Sequence, residues 1–210
     1  MGIIKRGILG GFSGKVANVV GSSWKGISVM KSLPLSVANP DSAKQRTQRT
    51  MFSRTIAFAL AILSVVIKPL WDRFAQGQSG FNSFISNNIK LFDDGVLPSP
   101  LANLKISVGR MAATAISAIS AASGSTLKVD WVDDSGEGFK LETDEPFLVV
   151  INETTGAVVG LQPLAATRDD ATVTVSVPGA TGTDTYSVYL AFKRDDGTIV
   201  SNTGYLQWSA

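Results

Sequence analysis

The sequence predicts an α+β chain in which an N-terminal β-hairpin, a long helix and short helices precede an all-β immunoglobulin- or fibronectin-like sandwich. Three observations predict it. Residues 1–33 hold seven glycines, a density hostile to helix. Residues 43–67 contain neither Gly nor Pro and turn strongly apolar. Beyond residue 100 the apolar period drops to two, with turn residues recurring about every ten positions. Charge divides at the same place. Residues 1–100 carry 12 Lys and Arg against 4 Asp and Glu, whereas residues 101–210 carry 7 against 13. The expected organisation is therefore a basic hairpin-plus-helix assembly domain over 1–100 and an acidic sandwich domain over 101–210.

The first elements follow from local chemistry. After Gly14 comes Lys15-Val16-Ala17-Asn18-Val19-Val20, and after Gly26 comes Ile27-Ser28-Val29-Met30-Lys31. Both are β-branched runs, and Trp24-Lys25-Gly26 can turn between them. A lone hairpin is marginal in water, so it needs a surface to lie on. Leu33 to Ala38 reads as a linker. Asn39-Pro40-Asp41-Ser42 then supplies a cap, a first-turn proline and an acid for the positive helix end.

The helix from Ala43 to Ile67 is basic first (Lys44, Arg46, Arg49, Arg54). It then becomes apolar on nearly all sides, through Ile56, Phe58, Leu60, Ile62, Leu63, Val65, Val66 and Ile67. Burying those eight side chains is worth at most roughly 12–24 kcal/mol, so something must cover them. Lys68-Pro69 should kink the chain. Phe81, Phe84, Ile85, Ile89 and Phe92 form one apolar stripe of a third helix over Phe81–Phe92. Asp93-Asp94-Gly95 to Pro100 reads as the domain boundary.

Beyond the boundary, strands are expected over Leu104–Val108, Ala115–Ala121, Thr126–Val132, Phe147–Asn152, Ala157–Gln162, Thr172–Val177, Tyr186–Lys193 and Thr198–Gln207. Asp195-Asp196-Gly197 is the strongest hairpin signal in the chain. Trp131, Phe147, Val149, Ile151, Tyr189, Ala191 and Tyr205 are the core candidates.

Composition excludes several chemistries. The chain has no Cys and no His, which removes disulfides, thiolate zinc sites, Ser-His-Asp and Cys-His catalysis. No cofactor is expected, and no secretion signal or membrane span either, because the apolar run Thr55–Ile67 is shorter than the ~18–20 residues that a spanning helix needs. Leu9 to Val16 imitates a phosphate-binding loop. It fails because Leu9 stands where the first glycine belongs and Val16 where Ser or Thr should bind magnesium. Asp130, Asp133, Asp134, Glu137 and Glu142 lack the spacing of a calcium loop and suit a solvated turn beside Ser135-Gly136.

The basic region stays open to three readings. Residues 1–54 hold nine cations (Lys5, Arg6, Lys15, Lys25, Lys31, Lys44, Arg46, Arg49, Arg54) and one acid, Asp41. They could bind nucleic acid, with Trp24 and Phe12 for stacking. They could dock on the acidic half of a neighbouring copy. They could be a solvated face. Self-assembly is the leading expectation, since the acidic complement is in the same chain. Its candidate interface is Trp24, Ile56, Phe58, Leu60, Leu63, Val66, Trp71, Phe81 and Phe84, on the premise that the apolar helix has too little of its own chain to cover it.

The opening Gly2-Ile3-Ile4-Lys5-Arg6-Gly7-Ile8-Leu9-Gly10-Gly11-Phe12-Ser13-Gly14-Lys15-Val16, with Val20-Gly21-Ser22-Ser23-Trp24-Lys25-Gly26, resembles an uncharacterised family common in Bacteroidota genomes. So do Asn39-Pro40 with Gln45, Arg49 and Phe52, and the ending Tyr189-Leu190-Ala191-Phe192, Asp196-Gly197, Val200-Ser201-Asn202 and Tyr205-Leu206. That resemblance implies no active site. The Asn-Pro helix followed by Trp71 and Ser79-Gly80-Phe81-Asn82-Ser83-Phe84 is also similar to small proteins of phage and prophage structural gene clusters. This second likeness implies a non-enzymatic, homo-oligomeric component of a virion, tube or filament, located in the virion or the cytoplasm, with other virion proteins as further partners.

Overall fold

The computed structural model describes residues 3–4, 10–24, 26–36, 41–93, 95–121, 125–161, 165–177 and 183–209. The chain divides into two compact units, Met1–Ser42 and Ala43–Ala210. The division falls at the start of the long helix rather than near residue 100, because the helices share one core with the sandwich that follows them.

The first unit is an antiparallel sheet in the order β1 (Ile3–Ile4), β2 (Phe12–Val16), β3 (Val19–Trp24), β4 (Ile27–Ser32). The run expected to be one strand, Lys15–Val20, is folded back on itself. Val16 pairs with Val19 across a two-residue turn in which Ala17 takes a left-handed φ of 48°. Alanine carries no sequence signal for that conformation. The second turn is where the sequence places it, with Trp24 opposite Ile27 and Gly26 at φ 82°. Lys25 lies outside the described residues. Gly21 is the single buried residue among those described in this unit. A Cβ there would sit 2.3 Å from the Phe12 carbonyl oxygen, so the close crossing of β2 over β3 requires glycine.

The second unit has three layers. Its middle sheet runs β11 (Gly204–Ser209), β10 (Thr185–Lys193), β7 (Glu145–Asn152), β8 (Val158–Leu161). The outer sheet runs β5 (Ile116–Ala121), β6 (Thr126–Trp131), β9 (Thr172–Ser176). These four-plus-three antiparallel sheets form the fibronectin-like sandwich. On the other face of the middle sheet lie α1 (Ala43–Ala61), a π-helical turn (Leu63–Ile67), α2 (Lys68–Trp71) and α3 (Gly80–Asn88), which continues as a 3₁₀ turn over Ile89–Phe92. Ser79 caps α3 by accepting from Asn82 N at 3.2 Å.

Strands β7 and β10 are therefore buried on both faces. Phe147, Val149, Ile151, Tyr189 and Ala191 pack against the helices. Leu148, Val150, Val188, Leu190 and Phe192 fill the sandwich with Trp131. The expected core residues are buried, Tyr205 partly, but most of them face the helix layer. Their neighbours of opposite parity make the sandwich interior.

The helix bends by 70° between Ala43–Ala61 and Leu63–Trp71, earlier than the kink expected at Lys68-Pro69. Pro69 has no N–H and its ring crowds the carbonyl four residues back, so the distortion appears upstream of it. Ile67 N donates to Ile62 O at 3.1 Å in the wider π register. The bend carries Ile62, Val66, Ile67 and Leu70 into the core, all with no exposure.

Leu104–Val108 is not a strand. Its amides are held by side chains instead: Lys105 N donates to Asn88 Oδ1 at 2.9 Å, and Ile106 N and Ser107 N to Thr203 Oγ1 at 3.0 and 3.1 Å. The strand expected over Thr198–Gln207 starts later and ends later, at Gly204–Ser209, with Val200 and Ser201 making isolated bridges and Thr203 donating to Ser107 O just before it.

Candidate interaction surface

In the first unit, direct pairing across the strands fixes which side chains share a face. Lys15 stands opposite Val20 and Val20 opposite Lys31, so the two lysines flank one valine in a row across three strands. Val29 and the Trp24–Ile27 pair lie on that same face by parity. All six residues of β4 are exposed, and β4 is an edge of its sheet. Met30 is 69% and Ile27 61% exposed. No described side chain of this unit belongs to either hydrophobic core.

The remaining candidates fare differently. Phe58, Val66, Trp71 and Phe84 are core residues of their own subunit, and Ile56, Leu63 and Phe81 pack partly buried against that core. They are not available to a neighbouring copy. The premise that this helix needs outside cover is overturned, because the middle sheet and α3 cover it. Of the nine interface candidates only Trp24 and Leu60 are exposed. Among the cations, Lys15, Lys31, Lys44, Arg46 and Arg49 are exposed, and Arg54, half-buried, donates to Asp93 O at 3.0 Å. Lys5, Arg6 and Lys25 lie outside the described residues.

The second unit holds one buried ionic cluster that the sequence did not single out. Arg168, fully buried, donates from Nε to Asp144 Oδ2 at 3.1 Å and from Nη1 to Asp134 Oδ1 and Thr114 Oγ1, both at 2.5 Å. Its guanidinium lies 3.9 Å from the Phe192 ring centroid. Lys140 Nζ meets Asp134 Oδ2 at 2.5 Å, and Trp131 Nε1 donates to Arg168 O at 2.8 Å. Arg168 and Lys140 with Asp134 and Asp144, and the exposed Glu137 3.6 Å from Lys140, make a clamp between the 133–144 and 166–171 loops. The guanidinium stays charged at working pH and so acts as a permanent counter-ion to Asp134 and Asp144. Nothing local marked it in the sequence, where Arg168 stands directly before Asp169 and Asp170 as an ordinary charged turn would.

Of the acids weighed as a calcium loop and expected to solvate a turn, Asp133 does serve a turn, whereas Asp130 lies within β6 and Asp134 is drawn into the buried clamp by Arg168 and Lys140. Asp133 accepts from Ser135 N and Oγ, and those bonds hold its carboxyl below the usual carboxylate range. A hydrogen bond from Thr172 does the same for Asp130. Burial pushes the Tyr189 phenol far up, its hydroxyl donating to Leu101 O at 2.9 Å. Among the described residues no three His, Cys, Asp or Glu side chains come together to hold a metal. No single described helix is long and apolar enough to cross a membrane.

Fold and surface together define a two-unit α+β protein, in which an exposed glycine-rich sheet precedes a helix-covered, fibronectin-like sandwich. The chain belongs to a family of unknown function, DUF6266, whose model matches residues 11–207. No curated protein matches it.

Proposed function

We propose that this is a non-enzymatic structural protein that assembles head to tail, the basic sheet of one copy meeting the acidic sandwich of the next. The carrying observation is where exposed apolar side chains gather. Among the described residues, eight of the fifteen exposed large apolar side chains are Ile3, Val16, Trp24, Ile27, Val29, Met30, Leu33 and Leu35, all within the first unit. A sheet of this size, with one buried residue among those described and no cysteine for a disulfide, gains its shape from association. Charge favours another copy as the partner. Residues 1–42 carry five cations and one acid, whereas residues 101–210 carry 7 cations and 13 acids. A heterologous contact of this kind closes into rings or grows into filaments. Together with the likeness around Asn39-Pro40 and Ser79–Phe84, this supports a component of a phage- or prophage-derived particle, tube or filament. Light scattering at tens of micromolar is the test. Assemblies that shrink as salt rises are expected, and a clean monomer at low salt overturns the proposal.

The row of Lys15, Val20 and Lys31 beside Trp24 and Ile27 favours a second reading, a nucleic-acid-binding sheet. It expects affinity to fall steeply with salt, with a shallower slope for each lysine removed. Absence of binding to single- and double-stranded DNA and RNA at low salt eliminates it.

A further inference from the structure

A groove of the second unit is not invoked in the proposed assembly, and its walls are held by a network of side-chain hydrogen bonds. It is an open groove of about 610 Å³ between the end of α3 and the 101–108 and 202–203 segments. That is the size of a small-ligand site. Its framework is a set of committed polar groups. Asn88, with no exposure, donates from Nδ2 to Phe84 O and Lys105 O, each at 3.0 Å, and accepts from Lys105 N. Thr203 Oγ1 donates to Ser107 O at 2.9 Å, and buried Ser107 Oγ to Ser201 O at 2.6 Å. Asn202 Oδ1 accepts from Gly109 N at 3.1 Å, which leaves its amide N–H groups as donors at the wall.

Onto this framework the chain places Lys90 and Lys105, both exposed. Neither makes an ion pair among the described residues. Lys105 lies in a region of 13 acids and 7 cations. The other six are engaged. Lys128, Lys140, Arg168 and Lys193 are ion-paired, Arg110 stacks on Phe139, and Arg194 donates to Phe139 O. Two like charges lining one groove repel, and an anion between them relieves that repulsion while gaining charge-assisted hydrogen bonds.

The rest of the lining selects among anions. Asn103 and Asn202 offer amides suited to hydroxyl groups, and Leu91, Leu104 and Val108 give an apolar wall. None of the described lining residues is aromatic, so they offer no platform for stacking a base. We infer that the groove between Lys90 and Lys105 binds an acidic saccharide, its carboxylates on the lysines and its hydroxyls on the asparagine amides.

Calorimetric titration of the full chain at low salt with trigalacturonate, maltotriose and inorganic phosphate tests this. Trigalacturonate alone should bind, its affinity falling about tenfold in Lys90→Ala and in Lys105→Ala, consistent with loss of one charge-assisted hydrogen bond. Lys105→Arg should retain it. Lys128→Ala, at a paired lysine elsewhere, should leave it unchanged. Both target lysines are exposed, so an unchanged melting temperature verifies that the variants fold. Three results would overturn the inference: no binding of trigalacturonate, binding that survives both alanine changes, or equal affinity for phosphate or maltotriose.

Discussion

The two units of this chain solve the same problem in opposite ways. In Ala43–Ala210 the central strands β7 and β10 are covered on one side by helices and on the other by a second sheet, so two cores lie back to back. In Met1–Ser42 a sheet of short strands buries one described residue, a glycine, and leaves a whole edge strand open. The difference teaches where stability comes from. A strand can carry the apolar run Phe147-Leu148-Val149-Val150-Ile151 only when both faces are packed. A ribbon built on glycine and serine has little area to bury. Internal packing makes the large unit self-sufficient; the proposed association is what would supply the small one with the cover it lacks.

The comparison is broken most severely at Arg168. Replacing it with Met leaves Asp144 and Asp134 buried with one cation fewer, which should cost about 3–5 kcal/mol. Chemical denaturation followed by tryptophan fluorescence measures it. A variant as stable as the parent would show that the clamp contributes nothing to the self-sufficiency of the large unit. The equivalent blow to the small unit is Gly21→Ala. The added methyl meets Phe12 backbone and ring, and overpacking of this kind costs about 1–3 kcal/mol. Hydrogen exchange should report lost protection in β3 and β4, with the amides of β7 and β10 unmoved. Loss of protection throughout both units would mean that they unfold as one.

Smaller in stability but sharper for function is the pair Ile27→Ser and Met30→Ser on the exposed strand. Surface changes of this kind stay within about 0.5 kcal/mol, so the melting temperature should hold while the scattering mass drops. A parallel drop in melting temperature would assign these side chains to internal packing instead. The smallest effect is electrostatic. Asp130 has its folded-state pKa lowered below the ordinary 3.8, chiefly by Thr172. Its contribution is therefore complete above that ordinary value and is lost as pH falls through the lowered one. Thr172→Val should raise the Asp130 midpoint in an NMR titration. An unchanged midpoint would show that the Thr172 hydroxyl does not hold the carboxylate.

Periodicity made much of the architecture legible. The Phe81–Phe92 stripe, the Asp195-Asp196-Gly197 turn and six of the eight expected strands lie close to where spacing and turn residues put them. The misses share a cause. Leu104–Val108 reads as a strand, but Asn88 and Thr203 satisfy its amides from remote positions, and no local pattern announces a side chain that substitutes for a ladder. The bend at Ile62 lies upstream of the proline that provokes it. The buried clamp was invisible because Arg168 and Asp134 are 34 residues apart. For the interaction surface, the basic and glycine-rich character was plain, yet the apolar helix beside it drew the larger share of the interface candidates.

By itself the sequence determined the exclusions and the chemistry of the ribbon. Without His or Cys no fold can supply imidazole or thiolate, and seven glycines in residues 1–33 weigh heavily against a helix there. Only tertiary structure decided which apolar residues are spoken for. Phe58, Val66 and Phe84 look as much like an interface as Ile27 and Met30 do, because hydrophobicity is a property of the residue. Burial depends on which distant segment arrives to cover it.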